Sequence, residues 1–264
     1  MVKKGKLSSG KTRKKIIVGN WKMYITDKRQ AKEIFGKIKR KMLKVEMVKT
    51  VICPPVSFLG SLSLAAKGNL FLGSQDVFFE NQGSFVGENG PEMVKSAGAS
   101  FVIIGHSERR ARGDSDEVVS RKIAVALSFD LTPVICVGEK ERDDAGKYLS
   151  FLETQIRESL SKVSGRFLGK LIIAYEPVWT IGRPFKDAMK PAEFEETALF
   201  IRKILSDLYK NEDVLSVPVL YGGSVSSINA GELLKEGKAD GFLVGRESVS
   251  PTHFGEIVEI VEKS

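Results

Sequence analysis

Cysteine and histidine are scarce in this chain, with two of each among 264 residues. Two cysteines cannot make a disulfide framework, and Cys53 and Cys136 sit inside apolar runs, Val51-Ile52-Cys53 and Val134-Ile135-Cys136-Val137. They read as small buried hydrophobes rather than metal ligands or redox centres. No apolar run approaches the roughly 18 residues that a membrane span needs. The N-terminus is basic, but no apolar segment of signal-peptide type follows it. A cytoplasmic protein with no membrane partner is the expectation. Acid is missing from residues 1–15, which carry Lys3, Lys4, Lys6, Lys11, Arg13, Lys14 and Lys15. The whole chain sums to +8, so the remainder is close to neutral, at 34 basic against 33 acidic residues. The basicity therefore reads as a property of a solvated tail, and no nucleic-acid partner is expected.

Gly5-Lys6-Leu7-Ser8-Ser9-Gly10-Lys11-Thr12 fits the phosphate-loop pattern GxxxxGK[ST]. That loop works only between a strand and a helix, where backbone N–H groups converge on phosphate. Here no strand precedes it and a β-type run follows. It reads as a Lys/Gly/Ser tail.

Short apolar runs recur at Ile16–Gly19, Thr50–Cys53, Leu70–Gly73, Phe101–Gly105, Thr132–Gly138, Leu171–Tyr175, Val217–Tyr221 and Gly241–Gly245. They lack clean alternation, which marks strands covered on both faces, as in parallel sheets. Helical spacing lies between them. Ile34, Ile38 and Met42 follow Asp27; Val118, Val119, Ile123 and Leu127 follow Ser115, a fitting N-cap; Phe194, Ala198, Ile201, Leu205 and Leu208 follow Pro191; Phe254, Ile257, Val258 and Val261 come last. Eight strand–helix units in about 250 residues predict a single (β/α)8 barrel over residues 16–264 with a parallel eight-stranded core, preceded by a basic tail over 1–15.

Function in such a barrel belongs at the C-terminal ends of the strands. Those positions hold Asn20-Trp21-Lys22 after strand 1, His106-Ser107-Glu108 after strand 4 and Glu176-Pro177 after strand 6. Each alone is ordinary loop polarity. Together they place an amide, an ammonium, an imidazole and a carboxylate around one mouth, a set suited to proton abstraction beside a carbonyl. His253, in the last helical segment, reads as structural. Tyr221-Gly222-Gly223-Ser224 after strand 7 and Gly245-Arg246 after strand 8 are turns of the kind that bind phosphate in barrels. The implied substrate is a small phosphorylated carbonyl compound.

Asn20-Trp21-Lys22, Ile104-Gly105-His106-Ser107-Glu108-Arg109-Arg110, Ala174-Tyr175-Glu176-Pro177-Val178-Trp179 and Tyr221-Gly222-Gly223-Ser224 resemble, in order, the signature segments of the triosephosphate isomerase family. The resemblance runs from about residue 15 to 262. It implies an isomerase that interconverts dihydroxyacetone phosphate and D-glyceraldehyde 3-phosphate through an enediolate, in glycolysis and gluconeogenesis, with no cofactor or metal. It assigns Glu176 as the base, His106 as a neutral electrophile, Lys22 as fixed positive charge and Asn20 as an oxyanion donor. Glu108 would organise the lysine. Gly182, Ser224, Gly245 and Arg246 would offer N–H groups to the phosphate, Pro177 to about Pro184 would form a lid, and Ile181 and Leu243 would flank the base with apolar surface. A homodimer through Gln82–Glu88 is also implied. Three positions depart from the family pattern: Arg183-Pro184-Phe185 at the far hinge of the lid, Arg246 where a second glycine is usual, and Val86 in place of a threonine. The competing reading is another phosphate-binding barrel enzyme acting on a small phosphorylated carbonyl compound.

Overall fold

The computed structural model describes residues 14–264, apart from 144, 181–187 and 211–212. All eight expected strands are present: β1 (Lys15–Asn20), β2 (Val48–Cys53), β3 (Leu70–Ser74), β4 (Phe101–Ile104), β5 (Thr132–Val137), β6 (Ile172–Tyr175), β7 (Val219–Tyr221) and β8 (Gly241–Val244). They pair in sequence order, and β8 closes in parallel on β1 through Ile16–Gly241 to Gly19–Val244, so the sheet is a closed barrel. The first strand begins at Lys15, inside the stretch read from sequence as tail. Its N–H donates to the Met47 carbonyl and its ammonium to the Ala239 carbonyl. The phosphate-loop look-alike lies outside the described residues.

Alternate residues of one strand enter two different cores, which explains the missing alternation. Ile16 and Val18 face the barrel interior with Val51, Ile103, Val134 and Leu220. Ile17, Ile52, Ile104 and Ile173 face outward and pack against helices. Both faces are apolar because both are covered.

The helices start where local chemistry tells them to. In α1 (Lys28–Met42), the Asp27 carboxylate accepts the Gln30 N–H at 2.9 Å, and Ala31, Phe35, Ile38 and Met42 form the buried stripe. The chain continues through α2 (Val56–Leu62), α3 (Pro91–Ser96) and the single turn α4 (Ser107–Arg110). Ser115 then caps α5 (Asp116–Ser128) by accepting the Val118 N–H. After α6 (Lys147–Ser159), Pro191 opens α7 (Pro191–Leu208). The last two helices are α8 (Ala230–Lys235) and α9 (Pro251–Glu262). His253 lies in the first turn of α9, where its Nδ1 sits 2.7 Å from Glu247 Oε2.

Candidate active site

Asn20 is the last residue of β1, and its side-chain oxygen accepts the Lys22 N–H at 3.0 Å. This bond draws Lys22 into a left-handed backbone conformation, with φ at +46°. Such a conformation costs a non-glycine residue about 1–3 kcal/mol and persists only where the surroundings over-determine it. Here they do. The Gln75 amide donates to the Lys22 carbonyl at 2.9 Å, and the fully buried Trp21 donates its indole N–H to the Ser248 carbonyl. Gln75 has no motif around it, and the sequence offered no signal for its role. With its oxygen engaged, Asn20 is left with its amide N–H groups to offer.

Glu108 holds two other groups in place. Its carboxylate takes the Lys22 ammonium at 2.6 Å, and its N–H donates to His106 Nδ1 at 3.2 Å. Burial pushes the Glu108 carboxyl up, but the hydrogen bond and charge of Lys22 outweigh this and hold it below its ordinary value. Because Nδ1 accepts, the proton of the neutral His106 ring sits on Nε2. That nitrogen faces Glu176 Oε1 at 3.1 Å.

Glu176 directly follows β6, and its N–H donates to the Val137 carbonyl. Its second oxygen accepts the Ser107 N–H at 3.0 Å. Only 2% of Glu176 and 6% of His106 is exposed, so carboxylate and imidazole meet in a nearly dry place. Space around the base is tight. A Cβ at Gly138 would fall 1.8 Å from the Glu176 carbonyl oxygen, and one at Gly222 would fall 3.0 Å from Glu176 Cγ. Leu243 lies just beyond Gly222. The other expected flank, Ile181, lies outside the described residues, as do Gly182 and the far hinge of the lid.

A second set of residues, unassigned from sequence, secures the stretch after Glu176. Glu139, 1% exposed, accepts from Tyr175 OH at 2.7 Å, Arg142 Nε at 3.0 Å and Trp179 Nε1 at 3.1 Å, all on Oε1. Burial and the Glu139 charge push the Tyr175 phenol up, so it remains a donor. Burial, with the nearby Glu176 charge, likewise raises the Cys136 thiol. Glu139 carries no motif in the sequence, and two of its three partners, Tyr175 and Trp179, come from far along the chain.

At the β7 and β8 ends, Ser224 Oγ donates to the Thr180 carbonyl at 3.1 Å. A 3₁₀ turn starts at Arg246, and the ideal Cβ position on Gly245 is 3.7 Å from Lys22 Cε. The first N–H groups of such a turn have no internal acceptor. The turn after β8 sits beside the Lys22 side chain.

A carbonyl compound entering between His106 and Glu176 would exchange their contact for two others. Its oxygen would take the Nε2–H, and an adjacent carbon would face the carboxylate. Fold and site together define a (β/α)8-barrel protein with an acid–base mouth. A family model described as triosephosphate isomerase matches residues 15–261, and the chain belongs to that family. Curated relatives carrying the same name come from Roseiflexus castenholzii (38% identical over 249 residues, 93% of this chain and 97% of the relative) and Natranaerobius thermophilus (38% over 251 residues, 94% and 96%). Another is that of Caldanaerobacter subterraneus subsp. tengcongensis, 39% identical over 249 residues, covering 93% of this chain and 99% of the relative.

Proposed function

We infer that this chain is an enzyme that interconverts dihydroxyacetone phosphate and D-glyceraldehyde 3-phosphate, the reaction of glycolysis and gluconeogenesis for which its family is named. Glu176 removes the proton from the carbon beside the carbonyl and returns it to the neighbouring carbon. His106 donates through Nε2 to the carbonyl oxygen while negative charge develops there. Lys22 supplies positive charge that Glu108 keeps in position, and Asn20 adds an amide donor. Ser224, Gly245, Arg246 and Gly182 receive the phosphate. The observation that carries this reading is the Glu176 carboxylate against the Nε2–H of His106, both buried, at the end of barrel strands. The Lys22 ammonium is engaged by a carboxylate at 2.6 Å, which disfavours its use as a Schiff-base nucleophile.

A coupled assay of glyceraldehyde 3-phosphate turnover without added metal or nucleotide tests the reaction. Turnover in the native chain, lost in Glu176→Gln, is the expected result. Borohydride trapping of a triose phosphate on Lys22 in place of turnover would refute it.

The partner surface and location follow the same reading. Among the described residues no helix is long and apolar enough to cross a membrane. In Gln82–Glu88, Val86 is fully exposed and Phe85 is 44% exposed; Met23, beside Lys22, is 85% exposed. Exposed Phe85 and Val86 support a homodimer through that loop, and a glycolytic reaction supports a cytoplasmic location. Val86→Asp should shift the sedimenting species from dimer toward monomer; an unchanged dimer would place the interface elsewhere.

A further inference from the structure

The sequence sum treats the body of the chain as neutral, but the fold distributes its charge unevenly. Residues 28–44, α1 and its exit, carry eight cations and one acid, Glu33, for a net +7. Residues 1–15 carry another +7, so the rest of a +8 chain sums to −6. On α1 and its exit, Lys28, Arg29, Lys32, Lys37, Arg40, Lys41 and Lys44 are all exposed. Lys37 pairs with Glu33 at 2.6 Å, and Lys41 lies 4.0 Å from Glu259. No carboxylate lies within 4.0 Å of the other five among the described residues.

Helix stability does not account for this. Cations in the last turn of α1 suit its dipole, but the first turn holds Lys28 and Arg29 and no acid, against the dipole. The basic end of α1 also meets the start of the barrel. Lys14 donates to Asn69 at 2.9 Å, and the Asn69 amide donates to the carbonyls of Val45 and Glu46, directly after Lys44. The basic N-terminal segment therefore joins the fold beside the basic end of α1. A groove of about 710 Å³ runs there between α1 and α9, lined by Lys37, Arg40, Lys41, Lys44 and Lys263. Its acids are Glu259 and Glu262, and Glu262 is spent on the N–H groups of Glu46 and Met47.

We propose that the exposed face of α1 and this groove form a sequence-independent binding surface for the phosphate backbone of a duplex nucleic acid. The 15 residues of α1 span about 22 Å. A duplex presents about one negative charge per 1.7 Å of axis, so an extended polyanion matches cations spread along and around the outer side of the helix where a small anion would not. A membrane surface fits less well. A helix lying on lipid turns its apolar face outward, whereas Ala31, Phe35, Ile38 and Met42 of α1 are buried in the core. The C-terminal part of this surface, Arg40 to Lys44 with the groove end at Lys263, lies toward the strand starts, away from the mouth, so binding there leaves the mouth open.

Anisotropy of a labelled DNA duplex of about 24 base pairs, titrated with the full chain between about 50 and 300 mM KCl, tests the proposal. The logarithm of affinity should fall against that of salt with a slope of about −4 to −5, from roughly five neutralised phosphates. Changing Lys37, Arg40, Lys41 and Lys44 together to Gln should flatten that slope by about 3 to 4 and weaken low-salt binding at least ~10-fold, with isomerase turnover unchanged. Lys37→Arg, Lys41→Arg and Lys44→Arg combined should keep the native slope. A native slope in the Gln variant, or binding to phosphatidylserine vesicles with none to the duplex, overturns the proposal.

Discussion

At the catalytic mouth, Lys22, Glu108, His106 and Glu176 are joined in a chain of contacts between 2.6 and 3.2 Å, and the last two are almost fully buried. Along α1, which runs back to the opposite end of the barrel, seven exposed cations stand in open water, five of them with no carboxylate within 4.0 Å among the described residues. The two ends use charge under different dielectrics. Between His106 and Glu176 little water reaches, and one hydrogen bond fixes the tautomer of one ring. On α1, each charge is screened within about 10 Å at moderate salt, so only the sum matters. Single substitutions should therefore be decisive at one end and slight at the other.

The largest contrast is expected for Glu176→Gln. Removing the base should lower kcat by about 10²–10⁴-fold. Urea unfolding should change little, because Gln can keep the Ser107 hydrogen bond. A rate within a few-fold of native would assign the proton transfer to another group.

Next comes a buried charge that serves stability alone. Lys122, 1% exposed, meets Asp76 at 2.9 Å and Asp114 at 2.7 Å, and Arg109 reaches both carboxylates. Burial raises the Asp76 carboxyl even beside these cations. Lys122→Met should destabilise the fold by about 3 kcal/mol, because it leaves two partly buried carboxylates with Arg109 alone to compensate them. Denaturant midpoints measure this, and a loss under ~1 kcal/mol would show the cluster to be wetter than its burial implies.

A smaller effect separates Lys28→Glu from both. An acid in the first turn of α1 should raise stability by about 0.3–1 kcal/mol through the helix dipole while weakening duplex binding. Loss of stability instead would mean that the cation has a folding role. The smallest effect is pH-dependent. The folded Glu108 carboxyl titrates below its ordinary 4.5, so its contribution is present above that value and is lost as pH falls through the lowered folded value. The stability difference between the native chain and Glu108→Gln should accordingly shrink from pH 6 to pH 3. A constant difference would mean that the Lys22 pair contributes nothing to folding.

What could be read in advance depended on how local its cause was. Strand and helix positions emerged because burial on both faces, capping by Asp27 and Ser115, and Pro191 at a first helical position are written over a few residues. The start of β1 was placed one residue late, since Lys15 looked like more tail; its pairing with Val48 is a long-range fact. Gln75 and Glu139 went unassigned because a polar residue near a loop has no signature until distant partners arrive, and Ser107 acts through its backbone N–H, which no residue type marks.

The sequence by itself determined the barrel order, the strand ends where chemistry collects, and the residue types found there. These follow from short-range periodicity and from the rule that parallel strands end on one face. Only the tertiary structure decided which nitrogen of His106 carries the proton, what holds Lys22 at positive φ, and which of the α1 cations find a carboxylate. Each depends on groups brought together from far along the chain, and a sum over residues or a local pattern contains no distances.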